Sequence, residues 1–357
     1  MTSLFDRYHL GGLDLPNRVV MAPMSRVRAA AGGLATASMA TYYAQRATAG
    51  LIVSEGVQPS LVGQSNPGTA GLHTDEQVAA WRPVTDAVHV NGGRIFAQIM
   101  HGGRVSHPDT TGFQPVGPSA VAAVGDVFTP NGPKPAPVPR ALDTAEVPEH
   151  ARSYADAARR AVDAGFDGVE LHGANGYLIS QFLSSNANLR TDSYGGPIAN
   201  RIRFAVEAVA ATVDAVGGAR TGIRLSPGGT FWGVEETDVP ELYAALLGEL
   251  ARFDLAYVHL EATADEEVLI GLRRAWPGTL IMNPVVPMGA KQTDRTAADH
   301  WLGLGAELIS FGRAFIANPD LVERLRTGLP LAPVDPGTYY QGGDAGYLTY
   351  SAYQHTA

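Results

Sequence analysis

The chain has 357 residues, 45% of them hydrophobic, which is enough for a large core and an ordinary size for one α/β barrel with insertions. Its formal net charge of −9, with no run of like charge, argues against a nucleic-acid partner. The absence of cysteine excludes disulfides, thiolate metal sites, Cys-ligated iron–sulfur clusters and a Cys nucleophile, and with neither a signal-type apolar segment nor a run of roughly 18 apolar residues, a cytoplasmic protein free of the membrane is expected.

In chain order, Gly11-Gly12 followed by Leu13 to Val19 reads as a small hairpin closing the bottom of the fold. Apolar, β-rich runs then follow at Arg18 to Pro23, Leu51 to Glu55, Arg94 to Met100 and Phe166 to His172. Four more run from Thr221 to Ser226, Ala256 to Glu261, Thr279 to Asn283 and Leu308 to Gly312. Their near-continuous apolarity is that of strands buried on both faces. Amphipathic segments such as Glu149 to Ala164, Arg201 to Val216 and Thr293 to Gly303 lie between them. Gly165, Gly217 and Gly305 mark helix ends. Eight strands each followed by a helix predict a single (β/α)8 TIM barrel over residues 1–357. The competing open, doubly wound sheet would carry a Gly-rich dinucleotide turn after its first strand, and none is present. The Pro- and Gly-rich stretch from Ser106 to Arg140 reads as a long loop insertion after strand three, placed over the barrel mouth.

Polar residues at the strand ends are the candidates for function. The most informative stretch runs from Val169 to Tyr177, an apolar strand that stops and presents His172, Asn175 and Tyr177 on one turn. That gives two donors for a developing oxyanion and one phenol able to give up a proton, a set suited to an electron-poor carbonyl compound. The bland alternative for His172 is a satisfied core histidine. Metal binding by His101, His172 and His259 lacks a compact ligand motif. Arg224, flanked by Ile223 and Leu225, points into the barrel and needs an anionic partner. That partner is either a bound anionic or electron-rich ring system or a structural carboxylate such as Glu55 or Glu170. Gly312-Arg313, followed by Asn318-Pro319, suits a phosphate, although Gly-Arg pairs are common.

Beyond these single residues, longer motifs stand out. They are Asn-Arg-Val-Val-Met-Ala-Pro-Met-Ser-Arg from Asn17, Tyr-Tyr-Ala-Gln-Arg-Ala from Tyr42 and Gln-Ile-Met-His-Gly-Gly-Arg from Gln98. The longest runs from Glu170 to Leu183 and on through Asn-Leu-Arg-Thr-Asp-Ser-Tyr-Gly-Gly, and Phe-Gly-Arg-Ala-Phe-Ile-Ala-Asn-Pro-Asp closes the set. In these motifs the chain resembles the Old Yellow Enzyme family of FMN-dependent ene-reductases, in its iron–sulfur-free branch, along nearly its whole length.

The resemblance implies a non-covalent FMN in the barrel mouth, reduced by NADPH or NADH, and a small electron-poor alkene as substrate. Pro23, Met24 and Ser25 would line the flavin edge, Gly56 and Gln98 the pyrimidine ring, and Arg224 the position near N1. Gly312 and Arg313, with Lys291 from the loop Asn283 to Thr293, would hold the phosphate. His172 and Asn175 would bind the substrate oxygen and Tyr177 would be the proton donor. Asn66, Met100, Phe231 and Tyr340 would wall the substrate pocket. Met100 stands where many members carry tryptophan, and Asn66 where relatives often have tyrosine, so the wall is smaller and more flexible. One site would receive nicotinamide and then alkene, giving ping-pong kinetics. The alternatives from other classes are a flavin-free barrel acting on a phosphorylated or sugar ligand through Glu55, Glu170 or Glu261, and a flavin-binding protein without turnover. Nothing in the sequence separates a monomer from a homo-oligomer.

Overall fold

The computed structural model describes residues 2–285 and 292–353. Eight parallel strands close into a barrel. They are β1 (Val19–Met21), β2 (Leu51–Val57), β3 (Ile95–Ile99) and β4 (Gly168–Gly173), then β5 (Thr221–Leu225), β6 (Tyr257–Glu261), β7 (Leu280–Asn283) and β8 (Leu308–Phe311). The seam is the pairing of Ile309, Ser310 and Phe311 with Val19, Val20 and Met21. Each strand falls within about two residues of the segment read from its apolar run, and the predicted TIM barrel is the fold.

The two-residue period of a strand divides the side chains into two populations. Val169, Leu171, Ile223, Leu225, Val258 and Leu260 face outward into the core shared with the helices. The inward positions form layers. At the bottom, Val20, Leu51, Val53, Phe96, Tyr257, Ile281 and Leu308 make a separate apolar plug. Two glycines leave room for its rings: a Cβ on Gly222 would lie 2.5 Å from the Tyr257 ring, and one on Gly168 would lie 2.4 Å from that of Phe96. Above the plug the inward positions turn polar, with Gln98, Glu170, His259 and Ser310 and then His172, Arg224 and Glu261, all buried. An apolar bottom and a polar top is what a barrel needs if chemistry occupies one end only.

The hairpin Tyr8–Leu10 with Leu13–Leu15 covers the bottom, and its Leu10 and Leu15 join the plug. Its turn is seated closely, since a Cβ on Gly11 would lie 2.2 Å from the Ala219 carbonyl oxygen. The insertion after β3 is not the plain loop expected. It contains a short helix, Pro108–Thr111, and an antiparallel hairpin, Asp126–Thr129 with Gly132–Pro135. Buried Val127 and Thr129 alternate with exposed neighbours there, and Pro130-Asn131 makes the turn, so this is a strand signal embedded in Pro-rich sequence. No helix among the described residues is long and apolar enough to cross a membrane.

Candidate active site

The strand register sets the site. Arg224 lies beside His172 on one side and His259 on the other, Glu170 beside Gln98, and Glu261 beside Asn283. Because all of these point inward at similar heights, they form one hydrogen-bonded floor. Arg224 Nη2 and Nε donate to Glu261 Oε1 at 2.6 and 2.9 Å, and Nη2 also donates to Asn283 Oδ1 at 2.8 Å. Arg224 Nη1 lies 2.6 Å from His259 Nε2. A guanidinium can only donate, so Nε2 accepts and the imidazole proton sits on Nδ1. Nδ1 then donates to Glu170 Oε2 at 2.8 Å, while Gln98 Nε2 donates to Glu170 Oε1 at 2.9 Å. Burial alone would raise the Glu170 carboxyl, but His259, Arg224 and Gln98 together hold it below the usual carboxylate range. Glu261 is held low in the same way by Arg224 and Asn175 against its burial. Arg224 thus has a structural carboxylate partner, and that partner is Glu261 rather than Glu55 or Glu170.

His172 is not a passive core residue. Burial, aided by the Arg224 charge, pushes its imidazole down to about 4, so it is neutral near pH 7. Its Nδ1 lies 3.3 Å from Gln98 Nε2, an obligate donor. The proton therefore sits on Nε2, where it is free to donate to a ligand. On the turn after β4, Asn175 adopts a left-handed conformation, φ 58°, which asparagine tolerates. Its backbone N–H donates to Ser226 Oγ at 2.9 Å and its Nδ2 to Glu261 Oε1 at 2.7 Å, while its buried Oδ1 has no partner. One amide hydrogen is committed to Glu261, and the second is the one a substrate oxygen would take. Tyr177 follows, with its ring centroid 5.1 Å from that of His172. Burial raises its phenol to about 12, Tyr340 adds to the rise, and a hydrogen bond with the Trp232 side chain opposes it. Tyr177 is thus protonated at any ordinary working pH.

Above this floor lies a cavity of about 330 Å³, lined by Gln98, His172, Asn175, Tyr177 and Arg224 and by Pro23, Met24, Ser25, Arg26, Met100, Arg313, Ile316, Tyr339 and Tyr340. A neighbouring cavity of about 300 Å³ shares Ser25, Tyr177 and Tyr340 and adds Asn66, Phe128 and Trp232. Most of the residues singled out from the sequence therefore meet in one place. Gly56 sits behind the wall, where a Cβ would come within 2.8 Å of the Met100 sulfur. The missing side chain there leaves room for Met100. Gly312 follows β8 near Met24. Lys291 lies outside the described residues.

Phe231 stands apart from the other candidates. It is 58% exposed, and neither cavity includes it; its neighbour Trp232 lines the second one instead. Trp232 has a left-handed backbone, φ 58°, and its carbonyl accepts from Arg104 Nη2 at 3.0 Å and from the Val124 N–H at 3.1 Å. That reversal turns Trp232 inward and Phe231 outward. Tyr339 and Phe128 also went unpredicted. Phe128 belongs to the insertion hairpin and reaches the site only through tertiary folding.

The model of the NADH:flavin oxidoreductase / NADH oxidase family matches residues 3–332. The chain belongs to this family and is an FMN-dependent, NAD(P)H-using ene-reductase of the Old Yellow Enzyme type. Among sequence relatives, a probable flavin mononucleotide-dependent alkene reductase of Leishmania infantum is 40% identical, over 96% of this chain and 95% of its own. A 12-oxophytodienoate reductase 1 of Oryza sativa subsp. japonica is 38% identical over 97% and 92%. Among solved structures, morphinone reductase in complex with tetrahydroNAD superposes with a TM-score of 0.93 at 41% identity, covering 99% of this chain and 98% of its own. The Old Yellow Enzyme homologue from Zymomonas mobilis does so with a TM-score of 0.92 at 38% identity, covering 99% and 100%.

The residues present fit such a flavin. The barrel mouth offers a cavity with an amide and a guanidinium on its floor and a second arginine, Arg313, at the strand-eight end. Of the carboxylates a flavin-free alternative would use, Glu170 is tied to His259 and Glu261 to Arg224, and Glu55, whose Oε1 accepts from Tyr43, lines neither cavity.

Proposed function

We propose that this reductase acts on α,β-unsaturated aldehydes and ketones, maleimides and nitroalkenes, and that Tyr177 delivers the proton. Bound FMN would supply hydride to the alkene carbon β to the electron-withdrawing group, after NADPH or NADH has reduced it at the same site in a ping-pong cycle. Gln98 and Arg224 would hold the flavin from the floor, Pro23, Met24 and Ser25 along one edge, and Gly312 and Arg313 at the phosphate. As hydride arrives, negative charge gathers on the substrate carbonyl oxygen. The Nε2–H of His172 and the second amide hydrogen of Asn175 would stabilise it there, and Tyr177 would give its hydroxyl proton to the α-carbon. Asn66, Met100, Trp232 and Tyr340 would form the substrate wall. The whole chain would work as one barrel domain in the cytoplasm.

The observation that carries this reading is the tautomer of His172. Gln98 fixes Nδ1 as an acceptor, so a neutral N–H donor faces the cavity beside Asn175 and Tyr177. The test uses phenols, which mimic the enolate oxygen. Each of His172→Ala and Asn175→Ala should weaken phenol binding to the holoenzyme, abolish its long-wavelength charge-transfer band, and slow the oxidative half-reaction by about 10²–10³-fold. Normal phenol binding in the double variant would reject the assignment.

A further inference from the structure

Among the described residues after Thr338 there is no regular secondary structure, yet this segment carries Tyr339 and Tyr340, two walls of the cavity. Irregular backbone leaves carbonyls without ladder partners, and buried ones must find donors elsewhere. Here the donors are two guanidiniums from the loop after β1. Arg26 Nε donates to the Tyr339 carbonyl at 2.9 Å and Nη2 to the Gly346 carbonyl at 2.9 Å. Arg28 Nη1 also donates to the Tyr339 carbonyl at 2.9 Å, its Nη2 to that of Thr338 at 3.0 Å and its Nε to that of Gly343 at 3.1 Å. Both arginines are buried, and among the described residues neither forms an ion pair. Their flat faces rest on Tyr347, with Arg26 Cζ 5.2 Å and Arg28 Cζ 4.7 Å from the ring centroid, and Tyr347 stacks on Tyr42 at 4.1 Å. A rigid fork with five donors suits several carbonyls of one folded-back segment; a lysine ammonium does not.

The same loop carries Ser25, which lines both cavities together with Tyr340. The clamp therefore ties the loop after β1 to the C-terminal wall segment. Its product is the placement of Tyr340, whose ring packs 6.2 Å from Phe128 of the insertion hairpin across the second cavity.

We propose that Arg28, backed by Arg26, is a positioning residue for substrate selection: by holding the carbonyls of residues 338–346 it fixes Tyr339 and Tyr340 as the outer wall against which larger alkenes are oriented. Arg28 lines neither cavity, so it acts through the segment and not on the substrate. The proposal rests on the ene-reductase reading given above, and its first readout is independent of turnover.

In the FMN-loaded enzyme, Arg28→Met should speed hydrogen exchange of residues 338–347 and leave the barrel strands unchanged. Arg28→Lys keeps the charge and loses the fork, and should speed exchange in the same segment. If Arg28→Met does not fold, Arg28→Lys alone decides. In turnover, Arg28→Met should raise KM for a bulky β-substituted cyclic enone by about tenfold with kcat nearly kept, while maleimide, too slim to reach the wall, changes less than about twofold. In a Tyr340→Ala background the same substitution should add less than about twofold, because the clamp acts through that ring. Unchanged exchange in the segment, wild-type behaviour of Arg28→Lys, or effects of Arg28→Met and Tyr340→Ala that simply multiply would each overturn the proposal. Loss of maleimide and enone reduction in the wild-type enzyme would instead sink the ene-reductase reading and leave the exchange result standing.

Discussion

Buried arginines on the floor of the cavity and in the clamp behind its rim are satisfied in opposite ways. On the floor, Arg224 faces a carboxylate, Glu261, at 2.6 Å. At the rim, Arg26 and Arg28 face backbone carbonyls. A carboxylate partner sets a charge balance in a low-dielectric site, whereas carbonyl partners set the path of a chain. The floor governs what charge the site tolerates, and the rim governs what shape it admits. Removing a partner should therefore have a large and electrostatic effect on the floor, and a local and geometric one at the rim.

The largest expected effect is from Glu261→Gln. It leaves an acceptor for Arg224 but removes the countercharge, and stranding a buried charge costs about 3–5 kcal/mol. Thermal unfolding should fall by several degrees. The flavin reduction potential should rise, because an uncompensated guanidinium favours the anionic reduced ring. If neither moves, Arg224 and Glu261 are not a charge balance, and the contrast with the rim fails.

Next is Met100→Trp, which changes shape without charge. Met100 packs on Gly56 beneath the wall. A bulkier, stiffer ring there should slow reduction of β-substituted cyclic enones about tenfold or invert its facial selectivity, and should spare maleimide. Equal slowing of both would mean that this position does not shape the pocket.

The smallest effect concerns Glu55, a buried carboxylate that senses Arg26 and Arg28 and whose pKa is raised to about 7 by burial. An unfolded glutamate titrates near 4.3. Between these values the folded protein holds the extra proton, so its stabilisation is complete below about 4.3 and lost as pH rises through 7. Glu55→Gln mimics the protonated form. It should be nearly as stable as wild type at pH 4, already ahead of it at pH 5, and ahead by a few kcal/mol at most by pH 8. A loss of stability at pH 8 would show that the rim arginines need this countercharge after all, and would erase the distinction from the floor.

The same contrast explains what the sequence disclosed. Arg224 was legible because a charge between Ile223 and Leu225 breaks an apolar run, and inward alternation then carries it to the barrel mouth. The turn at His172, Asn175 and Tyr177 was legible because its residues are near neighbours. The partner of Arg224 was not, since Glu55, Glu170 and Glu261 all end or occupy strands and only register chooses among them. Trp232, beside Phe231, lines the second cavity but was not legible, because a left-handed backbone at Trp232 reverses the alternation. The insertion hairpin was hidden by its prolines. The clamp of Arg26 and Arg28 left no trace, because its partners are carbonyls more than 300 residues away in sequence, and every residue has one.

The central claim is that a protonated Tyr177 completes the reaction begun at the oxygen held by His172 and Asn175. The direct measurement is anaerobic stopped-flow of Tyr177→Phe in both half-reactions. Reduction by NADPH needs no proton from Tyr177 and should be nearly unchanged. Oxidation by a cyclic enone should slow by roughly 10²–10⁴-fold, whereas a nitroalkene, whose nitronate is stable unprotonated, should lose much less in hydride transfer. Equal slowing of both half-reactions, or an unchanged enone rate, would contradict the account and reduce Tyr177 to a wall of the pocket.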